Sequence, residues 1–148
     1  MNGGLIRVLG INNSFMIIQS ATTQIDALLS DVRAFLSDPR NLTYLLPQDK
    51  VSNFSADEIQ CSFKAQGGIV ISLLFDQQDV QSVRYRSGEG SPFPFTLSIE
   101  LREEDGQCQG QVLFDGEISG FMKILVEKPL KSLFEQMSLQ LKVYFDKN

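Results

Sequence analysis

Cys61, Tyr85 and the acidic run Glu103-Glu104-Asp105 are the side chains of this chain whose types could do chemistry: a thiolate nucleophile, a phenolic proton donor, and paired carboxylates for acid and base work. None comes with the partner such work needs. The sequence has no histidine, which removes the usual base beside a cysteine or serine, the usual zinc and non-haem iron ligand, and the side chain that ordinarily titrates near neutrality. Cys61 therefore reads as an inert buried thiol. The acidic run adjoins an Asp105-Gly106 turn, where charge is normally solvated. Arg84 and Arg86 alternate out of an apolar strand face, as solvated surface or as a contact for an anionic headgroup. Lys123, Lys128 and Lys131 pose the same choice on the last helix. No catalytic residue, metal ligand or cofactor is assigned. Tyr85 is left as the polar handle of an apolar lining, or as a tyrosine whose hydroxyl reaches the surface.

Composition narrows the function classes further. A length of 148 residues with 43% hydrophobic content fits one domain with a sizeable core. Thirteen basic residues spread along a chain of net charge −5 argue against a nucleic-acid footprint, which needs clustered Lys and Arg. Two cysteines, Cys61 and Cys108, make no C-x-x-C motif and no disulfide framework, so a reducing compartment is expected, with a single bridge as the alternative. The apolar stretch near the start is broken by Gly10 before it reaches signal-peptide length, and no run reaches the roughly 18 apolar residues of a membrane span. Cytoplasmic residence without stable membrane insertion is the resulting expectation. Residues 1–13 are set apart as an N-terminal arm and residues 14–148 as the domain.

The elements that must position these side chains follow from periodicity. Phe15 to Ile25 reads as one long strand, with Gln19, Thr23 and Ile25 on one face and Ile18, Ser20 and Thr22 on the other. Ser30 and Asp31 offer N-cap chemistry before Val32, Phe35 and Leu36; Asp38 caps a second short helix with Pro39 at its first position, ending at Pro47. Period-two runs follow over Val51–Phe54, Ile59–Lys64, Ile69–Phe75, Ser82–Ser87, Phe93–Arg102 and Cys108–Ile118, separated by Gly- and Asp-bearing turns. A helix begins after Ser119, with a kink or restart predicted at Pro129, and its apolar stripe must be buried against the sheet upstream. The expected fold is α+β: a curved antiparallel sheet of about seven strands around a long C-terminal helix, with two short helices after the first strand.

This pattern resembles the START-like, helix-grip superfamily, also called SRPBCC, which includes polyketide cyclases, lipid-transfer domains and the birch-pollen-allergen group. The resemblance rests on Gln19-Ser20, Ile25-Asp26-Ala27, the stretch Val32 to Leu42 leading to Leu45-Leu46-Pro47, and Glu127-Lys128-Pro129-Leu130 with its helix. It covers residues 15–146 and implies a deep cavity between sheet and helix. Three departures stand out. Ala65-Gln66-Gly67-Gly68 is shorter than the allergen branch's glycine-rich turn, the chain has no tryptophan where stress-chaperone activators are rich in it, and it lacks the histidines of iron-binding ring-hydroxylating members. What remains resembles small bacterial members of unassigned function.

The positions expected to line the cavity follow from the alternation. From the sheet these are Cys61, Phe63, Ile71, Leu73, Tyr85, Phe95, Leu97, Ile99, Val112 and Phe114; from the helix, Phe121, Met122, Leu125, Phe134, Met137 and Leu141. The competing expectation for each is plain core packing. The leading function is non-covalent binding, with possible transport, of a hydrophobic or amphipathic small molecule, entered through the loops at Gly88–Pro92 or the segment Gly120–Pro129. The alternatives are a cyclase or dehydratase in the same cavity, marked by a buried carboxylate or tyrosine that points into the cavity with a shifted pKa, and a protein-interaction module marked by contiguous exposure of Val70, Leu74 and Leu113. Oligomeric state is not legible.

Overall fold

The apolar alternation seen in the sequence folds, in a computed structural model that describes residues 15–147, into an antiparallel sheet laid around one long helix. The arm expected over residues 1–13 lies outside the described residues. The strands are β1 (Phe15–Gln19), β2 (Thr23–Ile25), β3 (Ser52–Ala56), β4 (Gln60–Lys64), β5 (Val70–Asp79), β6 (Ser82–Ser87), β7 (Phe95–Glu104) and β8 (Gln107–Glu117). Helix α1 (Leu29–Leu36) and a 3-10 helix (Pro39–Leu45) separate β2 from β3, and α2 (Gly120–Lys147) closes the chain. The sheet order is β1-β8-β7-β6-β5-β4-β3, with β2 also paired to β8. Each neighbour from β3 to β8 is a hairpin partner, so local turns set most of the register.

The expected single first strand is two. Ser20 stands between them: its N–H donates to the Val112 carbonyl and its hydroxyl accepts from the Val112 N–H, both at 2.9 Å. This break shifts the parity of burial, so Met16, Ile18 and Ser20 face inward before it and Thr23 and Ile25 after it. The shared face expected for Gln19, Thr23 and Ile25 is thereby corrected. The irregular residues also tie down α2, since Ala21 donates its N–H to Glu135 Oε1 at 3.2 Å and accepts from the Ser138 hydroxyl at 3.2 Å.

Helix α1 starts earlier than its expected cap. Leu28 holds the N-cap position without a side-chain bond, which leaves Ser30 and Asp31 inside the first turn, where the Asp31 charge faces the positive end of the helix dipole. Asp38 does cap the following segment, accepting from Arg40 N–H at 3.0 Å with Pro39 first in line, but the segment winds as a 3-10 helix. Helix α2 runs through Pro129 without a restart. Proline's φ suits a helix, and burial of Val126 and Leu130 on either side holds both turns in place.

The core lies between the concave face and α2. Phe93, Phe95, Leu97, Ile99 and Leu101 are all buried, as their strict alternation predicts, and Val112 and Phe114 face the same way on β8. At the free border of the sheet, β3 is irregular: Asn53 has φ of 59° and the pairing to β4 slips between Ser52 and Ser55.

Candidate functional site

At one end of the fold the first turns of α2 meet two loops. The β4–β5 turn can fold back tightly because Gly67 and Gly68 take φ of +87° and +79°, a region costly for residues with a Cβ. It is closed by Ala65 N–H donating to the Ile69 carbonyl at 2.7 Å. The β6–β7 loop is pinned onto β5: the Ser72 N–H donates to the Ser91 hydroxyl at 3.0 Å, and that hydroxyl donates to the Ser72 carbonyl at 3.2 Å. Gly88 beneath it has no room for a side chain, since a Cβ there would lie 2.7 Å from Ser72 Oγ.

Between these loops and the helix lies a groove of about 410 Å³, lined by Gly67, Gly68, Ile69, Val70, Gly90, Pro92, Met122, Leu125 and Val126. No lining side chain is ionisable. A groove of similar size, about 400 Å³, has a different chemistry: Thr22, Gln81, Glu100, Leu101, Arg102, Gln109 and Gln111 line it. Several of its polar groups already bond one another or their neighbours, with Arg102 donating to Gln109 at 2.7 Å and Gln109 to Gln24 at 3.2 Å. The first groove suits an apolar guest, and the second is a solvated polar surface.

Behind the apolar groove the interior is filled. Phe93, Phe95 and Phe114 pack edge-to-face or tilted with centroids 5.3 to 6.4 Å apart, and Phe114 stacks on Phe134 of α2 at 5.0 Å. Gly116 makes this possible, because a Cβ there would meet the Phe114 ring at 2.8 Å. At mid-helix, where a cavity was expected, sheet and helix are therefore in contact.

The structure sorts the expected lining residues into three groups. The ten from the sheet, Cys61, Phe63, Ile71, Leu73, Tyr85, Phe95, Leu97, Ile99, Val112 and Phe114, are buried on the concave face, as are Phe134, Met137 and Leu141 from the helix. Met122 and Leu125 line the groove. Phe121 does neither: it is 74% exposed, one half-turn away from the buried stripe. Nine residues before Leu130 is two and a half turns, so the helical period itself turns Phe121 away from the sheet. Alternation missed Ile69 and Val126, and it put Val70 on the outer face, although Val70 lines the groove. The glycine and proline residues of the lip were the available signal. Val70, Leu74 and Leu113 do not form one patch: β6 and β7 lie between Leu113 on β8 and the two β5 residues, and on β5 the buried Ser72, covered by Ser91, stands between Val70 and Leu74.

The two reactive side chains are both engaged or masked. Tyr85 is fully buried, and its hydroxyl donates to the Leu36 carbonyl at 2.7 Å, near the end of α1. Burial pushes its pKa up, so it stays protonated and holds α1 to the sheet. Burial likewise pushes the Cys61 thiol up to about 12. Cys61 and Cys108 are both free and buried, so neither is a thiolate at neutral pH and they form no bridge. The buried polar side chains among the described residues are Ser20, Thr23, Ser72, Ser98 and Ser138, with no carboxylate.

With this geometry in place, likenesses to solved structures show the fold, a helix grip of the START-like kind: a START superfamily protein from Mycobacterium smegmatis superposes with a TM-score of 0.67 at 12% identity, covering 88% of this chain and 97% of that one. The KanY protein matches with a TM-score of 0.71 at 16% identity over 88% and 97% of the two chains. A norcoclaurine synthase point mutant from Thalictrum flavum, solved in complex with a transition-state analogue, matches with a TM-score of 0.66 at 12% identity over 90% and 95%. No family model matches the sequence, and no curated protein matches it. Among the described residues no helix is long and apolar enough to cross a membrane.

Proposed function

We propose that this protein binds a hydrophobic or amphipathic small molecule, non-covalently, in the apolar groove between the β4–β5 turn, the β6–β7 loop and the first turns of α2. The observation that carries the reading is the groove itself: about 410 Å³ lined by apolar side chains and glycine backbone, with no ionisable group. The fold supports it, since START-like proteins commonly hold hydrophobic ligands and one neighbour is solved with a transition-state analogue bound. A guest that buried about 200 Å² of apolar surface would gain about 5 kcal/mol before the cost of its own ordering. Met122 suits such a site, because a flexible thioether adapts to guests of different shape.

Titration with the neutral apolar fluorophore N-phenyl-1-naphthylamine tests this. One saturable site per chain is expected, weakened at least about tenfold by Met122→Asp or Val70→Asp, each of which puts a charge on the wall. Both positions are partly exposed, so circular dichroism and the melting temperature should hardly change. Absence of saturable binding, or equal binding by both variants, would overturn the reading. Native mass spectrometry of protein from its own host would identify a retained compound.

A further inference from the structure

The outward side of α2 carries a second pattern that the core does not explain and that the groove shares only at Leu125. Opposite the buried stripe, the residues Phe121, Leu125, Lys128, Ser132, Glu135, Leu139 and Lys142 recur at alternating spacings of four and three, the period that keeps one line of a helix facing a partner helix. Exposed apolar residues stand at both ends of this line: Phe121, Ile124 and Leu125 at 74%, 76% and 54% exposure, and Leu139 at 58%. The middle is Lys128, the small Ser132, and Glu135. Two ion pairs are internal to the helix, Lys131 with Glu127 at 3.7 Å and, at the end of the line, Lys142 with Asp146 at 2.7 Å. Lys128 and Glu135 have no ion-pair partner among the described residues, although one Glu135 oxygen accepts the Ala21 N–H.

We propose that this face of α2 docks against the same face of a second copy of the chain, antiparallel, about a two-fold axis near Ser132. That arrangement brings Lys128 of each copy to Glu135 of the other, and the Ile124–Leu125 end of each to Leu139 of the other. The small Ser132 lets the helices approach at the axis. A parallel pair would set Lys128 against Lys128 and Glu135 against Glu135, so charge selects the antiparallel form. The stripe from Phe121 to Lys142 is about 33 Å long. One helix face of that length falls short of the roughly 800 Å² per partner of a standard interface, so the dimer is a weak one that dissociates across the micromolar range.

Sedimentation velocity on the full chain over that concentration range tests the pairing. A concentration-dependent dimer is expected. Lys128→Glu alone and Glu135→Lys alone should each raise the dissociation constant at least about tenfold, because each sets like charges face to face. Mixing the two variants should restore the dimer, since every cross pair then joins opposite charges. Lys128 is exposed and unpaired, so its variant should melt like the parent; the Glu135 variant, which loses the Ala21 contact, is verified by circular dichroism. A parent that stays monomeric overturns the proposal, and so does a dimer indifferent to Lys128→Glu or a mixture that stays apart. A monomer that floats with phosphatidylserine vesicles would assign the face to a bilayer instead.

Discussion

The two halves of α2 are built from similar residues and do different things. Past Pro129, Leu130, Leu133, Phe134, Met137 and Leu141 are buried against the sheet, and Phe134 stacks on Phe114. Before it, only Val126 is buried, while Phe121, Met122, Ile124 and Leu125 remain partly or largely open. The difference is one of what lies beneath. The later turns sit over the aromatic centre of the concave face, whereas the first turns meet two loops and the start of β1, where Lys123 donates to the Phe15 carbonyl at 3.5 Å. Burial is therefore concentrated in the later half, and open apolar surface in the first.

The largest expected effect that would break this contrast is on stability. Phe134→Ala should cost about 3–5 kcal/mol in urea unfolding, against under about 0.5 kcal/mol for Met122→Ala at the groove; comparable losses would show that the open end is also core. Next comes pH. Cys61 is held near 12, above its ordinary value near 9, with Cys108 and Tyr85 shifted the same way by burial. The folded chain then keeps protons that the unfolded chain releases, so the Cys61 contribution is level below pH 9 and falls above it by about 1.4 kcal/mol per pH unit, with Tyr85 adding a loss only above its ordinary value near 10. Fluorophore binding by the folded protein should stay level from pH 7 to 10, because nothing lining the groove titrates. Urea midpoints and binding isotherms over that range check both statements. The smallest effect concerns the lip: Ser91→Ala removes both bonds to the Ser72 backbone and should cost about 1 kcal/mol, while hydrogen exchange at Ser72 accelerates.

Where burial alone decides, the sequence was a good guide. Ser82–Ser87 has the same bounds in the structure as in the alternation, and the inward face of β7 is the one that Phe93 to Leu101 predicts. Asp38-Pro39 marked the start of its helix because capping is local chemistry. What stayed hidden depends on contacts between distant segments. The break at Ser20 exists only because Val112 lies opposite; the exposure of Phe121, by contrast, was legible, since it stands half a turn off the period of Leu130 and Phe134. The groove is harder still. Ile69, Pro92 and Met122 come from three separate stretches, and only the folded chain brings them to one wall. Tyr85 looked like a handle for a guest, but its hydroxyl is engaged by Leu36, a partner 49 positions away.

The irregular border strand has a consequence for the life of the molecule in a crowded solution. A straight, fully extended rim would present a ladder of unsatisfied amides to any passing strand and invite stacking into fibrils. With Asn53 turned into the left-handed region and its pairing out of step, β3 is a poor template for such stacking.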